Sequence, residues 1–283
     1  MDGSGRLRPQ WDRLLGALSQ IGPGSLADRL RALDSILAEE GTGGLLPGGA
    51  PATRRLCPIP LPLTASEFAE LEVGLAQRAR LLDAVLRDVY GPQALLADGT
   101  LPPALVHANP AFLRPCRAMD YGTWPGGQRL HVYAAELLRG PDGAWQVLAD
   151  RTADAAGIGY ALLNRRALMR VMPEVFHSIA ARRLTSFFEG WQDALQRLAP
   201  QAQGRNPTLA LLTPGSTDKL WFEHVVLARE LSCELVEGGD LTARDGALFL
   251  KTLRGLRRVD VLLRREDGRM VDPLELEPGS VGG

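Results

Sequence analysis

The sequence predicts a mixed α/β fold, and three observations support this. Apolar residues recur at helical spacing through about residue 110, and short apolar runs between turn residues dominate the second half. A strand–helix–strand pattern from Leu209 to Val236 predicts a pair of parallel strands. The chain has 283 residues, 45% apolar and 23% charged, so it can form a sizeable packed core.

The N-terminal segment predicts three helices separated by helix-breaking residues. Two apolar stripes, within residues 11–18 and 26–37, are divided by Gly22-Pro23-Gly24. The stretch from Gly41 to Pro51 is rich in glycine and proline and predicts a loop. Thr64-Ala65-Ser66-Glu67 is a capping-box pattern, which predicts that the third helix begins there.

The third helix is expected to end before Gly91-Pro92, and a short helix with an Asp98-Gly99 turn should follow. Residues 129–150 then predict a β-hairpin, with Leu130 and Val132 on its first strand. Its turn is expected at residues 140–143, Gly-Pro-Asp-Gly. The small and polar residues of 150–159 predict a loop after the second strand.

Two helices and a strand-rich region complete the pattern. One helix from Leu162 to His177 is interrupted by Pro173, and a second, capped helix opens at Ser186. After the β-α-β unit, strands around Leu248 and within residues 259–263 are expected to be hairpin-like.

Composition and charge exclude several classes of protein. The net charge of −1 gives no bulk electrostatic reason to expect binding to nucleic acid or to an anionic membrane. No apolar run has the length of a membrane span, and the N-terminus lacks a signal-peptide pattern. Cys57, Cys116 and Cys233 are odd in number and far apart, so we expect free thiols and a cytoplasmic location.

Three predicted strand ends are candidate anion sites. They are the loop from Asp150 to Tyr160, the turn Thr213-Pro214-Gly215-Ser216, and the pair Arg264-Arg265 after an apolar strand. Strand ends in α/β sheets favour ligands, and arginine and aspartate can hold phosphate and magnesium. The alternative for the first loop is a solvated connection, which spacing alone favours. For the turn at Thr213 it is a tight strand–helix turn, and for Arg264-Arg265 it is a strand end with solvated charges.

Several motifs resemble those of circularly permuted type 2 ATP-grasp proteins. The central one is Gly140-Pro141-Asp142-Gly143-Ala144-Trp145-Gln146-Val147-Leu148-Ala149-Asp150-Arg151-Thr152, continued through Gly157-Ile158-Gly159-Tyr160-Ala161-Leu162-Leu163-Asn164-Arg165. Further matches, in family order from about residue 60, are Asp88-Val89-Tyr90-Gly91, Leu211-Leu212-Thr213-Pro214-Gly215, Phe222-Glu223-His224, Leu235-Val236-Glu237-Gly238-Gly239-Asp240-Leu241, Arg257-Arg258-Val259-Asp260-Val261 with Arg264-Arg265, and Asp272-Pro273-Leu274-Glu275-Leu276.

This resemblance, to the synthetase part of glutathionylspermidine synthase in particular, implies an ATP-grasp-like fold that uses ATP and Mg2+. Such enzymes convert a carboxylate to an acyl phosphate, which an amine then attacks. The resemblance implies catalytic roles for Arg151, Arg264 and Arg265, nucleotide contacts for Asn164, Arg165, Thr213 and Gly215, and metal ligation by Glu136 and Asp150.

The resemblance also implies three regions and an incomplete enzyme. Residues 1–63 form a helical and loop segment, 64–205 a permuted substrate and metal-side region, and 206–283 a pre-ATP-grasp β-α-β layer. An ATP-clamping portion normally follows, and we expect it to be absent from this chain. An acid stands in ligase relatives where this chain has Ala149, and many have Pro-Ser where it has Ala155-Ala156.

Two functions therefore remain open. The first is an ATP-grasp ligase acting on small-molecule or peptide carboxylates and amines. The alternative is a non-catalytic remnant or scaffold that binds a protein partner, such as one carrying the C-terminal half.

Overall fold

The computed structural model describes residues 5–41, 56–118, 127–153, 155–199 and 205–280, and within these ranges it confirms a mixed α/β fold. The helices are α1 (Pro9–Ser19), α2 (Pro23–Glu39), α3 (Ala65–Val89), α4 (Ala94–Ala97), α5 (Pro103–His107), α6 (Ile158–Val171), α7 (Pro173–Ile179), α8 (Thr185–Arg197) and α9 (Trp221–Glu230). The strands are β1 (Ala134–Arg139), β2 (Trp145–Arg151), β3 (Leu209–Leu212), β4 (Glu234–Val236), β5 (Leu241–Arg244), β6 (Ala247–Thr252), β7 (Gly255–Val259) and β8 (Val261–Arg264). None of the helices in the described ranges is long and apolar enough to cross a membrane.

The first two helices pack against the middle of the chain. Both begin with a proline in the first turn, and the predicted break at Gly22-Pro23-Gly24 separates them. Leu14 and Leu33 are almost fully buried and form one core cluster with Leu168 and Met172. Burial of each such side chain contributes about 1.5–3 kcal/mol to folding. The loop predicted to follow lies, from residue 42 to residue 51, outside the described residues.

Helix α3 begins with the predicted capping box. The Thr64 hydroxyl accepts a hydrogen bond from the Glu67 N–H at 3.2 Å, and the Glu67 carboxylate accepts one from the Thr64 N–H at 3.1 Å. The helix ends at Val89, before Gly91, as predicted. A Cβ at Gly91 would lie 2.6 Å from the Arg87 carbonyl oxygen, so glycine fits this helix end best.

The hairpin differs from the prediction at both ends. Its first strand begins at Ala134, so Leu130 and Val132 precede the strand instead of lying on it. The second strand continues through Asp150 and Arg151, which were expected in a loop. The reason is that the backbone ladder persists to its last rung, where Arg151 pairs with Ala134.

Two helix boundaries also need correction. The helix predicted to open with a cap at Ser186 begins at Thr185, after Leu184, and has no side-chain cap. The helix predicted from residue 162 already begins at Ile158. Pro173 lacks an N–H to donate, and it starts a separate helix, α7, at the position where that donor is not needed.

Three strands form the predicted parallel sheet, in the order β4-β3-β8. All four residues of β3 are buried, because both faces of the sheet are covered. Leu209 and Leu211 pack against helices α8 and α9 on one face. Ala210 and Leu212 pack on the other face against the antiparallel meander β5-β6-β7.

The prediction of hairpin-like strands at Leu248 and residues 259–263 was partly wrong. Strand β6, which contains Leu248, does pair with β7, but Val261–Arg264 leaves that meander and joins β3 in the parallel sheet. The chain changes sheets at Asp260, whose buried carboxylate accepts hydrogen bonds from the Thr208 N–H at 2.8 Å and from Arg205 at 2.7 and 2.8 Å. These long-range bonds fix the crossover point.

The three cysteines are free thiols, as predicted. Cys57 is exposed, and Cys116 and Cys233 are half-buried. Burial raises the pKa of the Cys233 thiol to about 11, so this thiol stays protonated and unreactive at neutral pH.

The capping box gives a test of the helix boundaries. We expect Thr64→Ala to lower the free energy of unfolding by about 1 kcal/mol, because it removes a satisfied N-cap. Ser186→Ala is the matched control, since α8 has no side-chain cap. Urea unfolding followed by circular dichroism measures both, and an equal loss in the two variants would contradict the assigned caps.

Candidate functional site

The carboxyl ends of the three parallel strands meet at one edge of the sheet. Thr213 follows β3, Glu237 follows β4, and Arg265 follows β8. Parallel strands place such residues side by side, and ligands in open α/β sheets bind at this edge. The edge is therefore the part of the fold where polar side chains from different segments converge.

The turn after β3 is held by a buried hydroxyl. Thr213 is almost completely buried, and its N–H donates to the Val236 carbonyl at 2.9 Å. Its Oγ1 lies 2.8 Å from Nδ1 of the buried His224 and accepts a hydrogen bond from the Gly215 N–H at 3.2 Å. Gly215 has φ +105°, and a Cβ there would lie 3.1 Å from a carboxylate oxygen of Glu237. Both features favour glycine at this position.

A fully buried carboxylate ties the sheet edge to helix α6. Glu223, on α9, accepts hydrogen bonds to both carboxylate oxygens from the Gly157 N–H, at 2.7 and 2.8 Å. Nη2 of Arg265 lies 3.9 Å from Oε1 of Glu223, and both side chains are buried. Arg265 also donates from Nη1 to the Ala155 carbonyl at 3.3 Å. One buried ion pair thus joins α9, β8 and the loop before α6.

The glycines of this loop permit the close approach. Gly157 precedes α6 with φ +111°, a conformation that glycine adopts without strain. A Cβ at Gly159 would lie 3.2 Å from Cγ of Glu223, which leaves little room for a larger residue. The Glu223 carboxylate therefore lies at the N-terminus of α6, where the helix dipole favours negative charge.

The hairpin carries other charged residues of the predicted site, and it places them on opposite faces. Asp150 accepts hydrogen bonds from Arg78, at 2.6 and 2.7 Å, and from the Tyr133 hydroxyl at 2.6 Å. Arg151 donates from Nε to Glu136 at 2.9 Å. Because neighbouring residues of a strand face opposite sides, Asp150 and Arg151 do not point to one common space, whereas the resemblance implies that both serve one site.

The environment of Asp150 shifts two pKa values. Hydrogen bonds from Arg78 and then from Tyr133 hold the pKa of the Asp150 carboxyl below its usual value. Burial, and next the hydrogen bond to Asp150, raise the pKa of the Tyr133 phenol to about 12. Asp150 is therefore ionised and Tyr133 protonated at neutral pH.

The remaining predicted site residues lie apart from the buried pair. Asn164 is half-buried on α6, and Arg165 donates a hydrogen bond to the Arg182 carbonyl. Arg264 is exposed at the end of β8, with its guanidinium close to Gly268. The structure thus brings Thr213, Gly215 and Arg265 to one sheet edge, and Glu136 and Arg151 to one face of the hairpin.

Sequence reasoning missed the central role of Glu223. The signal was available, since Glu223 is an acid next to Phe222 within the apolar stripe of a predicted helix, where a solvated charge is unexpected. The neighbouring His224 is completely buried and hydrogen-bonded to Thr213, so its role is structural.

The buried pair predicts a large stability effect at Glu223. Glu223→Ala leaves Arg265 buried without that carboxylate, and we expect a loss of about 3–5 kcal/mol in the free energy of unfolding. The control is Glu234→Gln, because both side chains of its pairing with Arg257 are about half exposed, at 51% and 47%, and the expected loss is below about 1 kcal/mol. Chemical denaturation decides, and similar small losses in both variants would contradict the role assigned to Glu223.

Comparison with known proteins identifies the family. An uncharacterized protein of Mycobacterium tuberculosis is 37% identical over 292 residues, which cover 99% of this chain and 32% of that protein. A second from the same organism is 33% identical over 50% of its length, and one from Synechocystis is 34% identical over 58% of its length. The chain thus spans between about a third and three-fifths of these relatives. The model of the family "Circularly permuted ATP-grasp type 2" matches residues 60–283, and the chain belongs to this family.

Proposed function

We propose that this chain is part of an ATP-dependent carboxylate–amine ligase that works through an acyl phosphate. The observation that supports it most is membership of the ATP-grasp family over residues 60–283. The convergence of Thr213, Gly215 and Arg265 at the carboxyl edge of a parallel sheet agrees with a ligand site there. The resemblance to the synthetase part of glutathionylspermidine synthase also supports a carboxylate–amine ligase.

The proposed reaction has two steps, and each forms one bond and breaks one. A carboxylate oxygen attacks the γ-phosphorus of ATP, ADP leaves, and an acyl phosphate forms. An amine then attacks the acyl carbon, and inorganic phosphate leaves with the bonding electrons. Both steps develop negative charge on phosphate oxygens, and guanidinium groups stabilise such charge.

Three arginines divide this work in the proposal. Arg264 is exposed at the end of β8 and is the candidate for direct contact with phosphate. Arg151 is exposed on the hairpin and would need to exchange its partner Glu136 for the substrate. The buried side chain of Arg265 contacts Glu223 and Ala155, so its contribution would be to position the loop before α6.

The nucleotide contacts proposed for Asn164, Arg165, Thr213 and Gly215 are of two kinds. Thr213 and Gly215 shape the turn at the sheet edge, where the backbone can approach a phosphate closely. Asn164 and Arg165 follow on α6, the helix whose N-terminus starts at the glycine loop.

Magnesium is expected with ATP in this family, but Glu136 and Asp150 do not fit a shared chelate as they stand. Their side chains leave opposite faces of the hairpin, and each is paired with an arginine. In the described ranges, no group of three His, Cys, Asp or Glu side chains could hold a metal ion. The two reaction steps are therefore assigned to the guanidinium groups. Glu136 and Asp150 are each proposed only as a single magnesium ligand.

The second candidate function is a non-catalytic scaffold that binds a protein partner. Large apolar side chains are exposed on α3 and the hairpin, among them Val73 at 72%, Leu81 at 62% and Leu148 at 61%. Ala149 and Ala155-Ala156, at positions where ligase relatives have an acid and many have a Pro-Ser pair, also agree with this alternative. Trapping of the acyl phosphate distinguishes the two functions.

The test is trapping of the acyl phosphate in the longest polypeptide in which this chain occurs. With ATP, magnesium and a pool of carboxylates, hydroxylamine should convert an acyl phosphate to a hydroxamate while ADP is released. The absence of both hydroxamate and carboxylate-dependent ADP release would contradict the ligase and favour the scaffold.

Variants then test the proposed residues. We expect Arg264→Gln and Arg151→Ala each to lower turnover by about 100-fold or more, because loss of a charge-stabilising donor costs about 2.7–4 kcal/mol in the transition state. Arg197→Gln is the control, an exposed arginine on α8. Circular dichroism verifies the fold, and wild-type turnover in both site variants would contradict their catalytic roles.

A further inference from the structure

A groove of about 690 Å³ lies between helices α6, α7 and α8. This volume is within the range of about 300–1,000 Å³ that is typical of small-molecule sites. Leu162, Phe176 and Phe188 contribute apolar walls, and Met169, also in the lining, is 49% exposed. A ligand that fills the groove would therefore cover apolar surface that water now contacts.

An arginine in the lining has an incompletely compensated charge. Burial lowers the pKa of Arg165, which means that its guanidinium is partly desolvated. Arg165 donates a hydrogen bond to the Arg182 carbonyl, and none of the acids in the described ranges forms an ion pair with it. Its neighbour Arg166 differs, since it is paired with Glu230 at 3.1 Å. A desolvated cation without a counter-charge favours an anionic ligand.

The other charges of the groove leave this preference in place. Arg183 also lines the groove and is exposed. Of the two acids in the lining, Glu230 is bonded to Arg166 and lies 3.4 Å from Arg229, so it is already compensated. Glu189 remains as one acid against Arg165 and Arg183, which leaves an excess of positive charge beside apolar walls.

We propose that this groove binds an apolar monocarboxylate, with the carboxylate at Arg165 and Arg183 and the apolar part against Phe176 and Phe188. Helices form this groove, and the strand ends of the proposed ligase site do not. Arg165 is the one residue that this proposal shares with the proposed nucleotide contacts, so binding of the acid is measured without ATP and its failure would leave the ligase function untouched.

Two chemical sources share this ligand chemistry, an alkyl carboxylate and an N-acylated apolar amino acid. Octanoate represents the first and N-acetylphenylalanine the second. Octan-1-ol and N-acetylphenylalaninamide are their neutral counterparts. Isothermal titration calorimetry on the full chain should detect at least one of the two acids, bound about tenfold or more tightly than its neutral counterpart.

The arginines provide the decisive variants. We expect Arg165→Gln and Arg183→Gln each to weaken binding of the acid by about tenfold and to leave binding of the neutral counterpart unchanged. Arg197→Gln removes the same charge from an exposed position outside the lining, and its affinity should match the wild type. Arg183 is exposed, so its variant remains informative if Arg165→Gln fails to fold.

Methionine NMR locates the bound acid. Met169 lines the groove and Met172 is buried nearby in sequence, so methyl-labelled methionine reports binding at this site. The Met169 signal, assigned with Met169→Leu, should shift on addition of the acid, and about tenfold or more of the neutral counterpart should be needed for the same shift. The proposal is overturned if neither acid binds, if the neutral counterparts bind equally well, if both arginine variants keep wild-type affinity, or if the Met169 signal does not move.

Discussion

The buried Glu223 carboxylate is the interaction on which the arrangement of the sheet edge depends. It joins three segments that are far apart in sequence: helix α9, the loop before α6 and the end of β8. A carboxylate without compensation would be very costly at full burial. The Gly157 N–H and the Arg265 guanidinium provide that compensation, so the three segments are held in one relative position. The geometry of any ligand site at this edge is consequently set by one acid outside it.

The layers around β3 explain why the polar groups gather at this edge. Both faces of the strand are covered by apolar side chains, and its backbone is paired on both sides. Polar residues within the strand would be costly, so they occur after it, beginning at Thr213. The Thr213–His224 hydrogen bond then fixes the direction of the following turn. The cost of burying polar groups thus determines both the apolar packing of the sheet and the position of the site.

The features that could be predicted from the sequence are those set by local chemistry. The capping box at Thr64, the break at Gly22-Pro23-Gly24 and the parallel β-α-β unit each depend on residues close together in the chain. The change of sheets at Asp260 depends on Arg205 and the Thr208 N–H, more than fifty residues away. No local pattern contains that information.

The candidate site shows the same difference between features set by local residues and features set by distant ones. The turn after β3 was predicted as a candidate site because ligands favour the carboxyl ends of parallel strands, but its closeness to Arg265 was not, since residues 259–263 were expected to be hairpin-like. The partner of Glu223 was not predicted, since Gly157 is 66 residues away. The separation of Asp150 from Arg151 was missed for a simpler reason. The second strand was ended too early, and within a strand adjacent side chains necessarily diverge.

The core shared by the first two helices and helices α6 and α7 has a practical consequence for work on this family. The family match begins at residue 60, yet Leu14 and Leu33 complete the cluster that contains Leu168 and Met172. A recombinant form trimmed to the matched region would lack Leu14 and Leu33 and would expose Leu168 and Met172 to water. Its poor solubility or low expression would then be a defect of the chosen boundary, although the matched sequence itself would be intact. The region matched by the family model and the unit of folding are different lengths of this polypeptide.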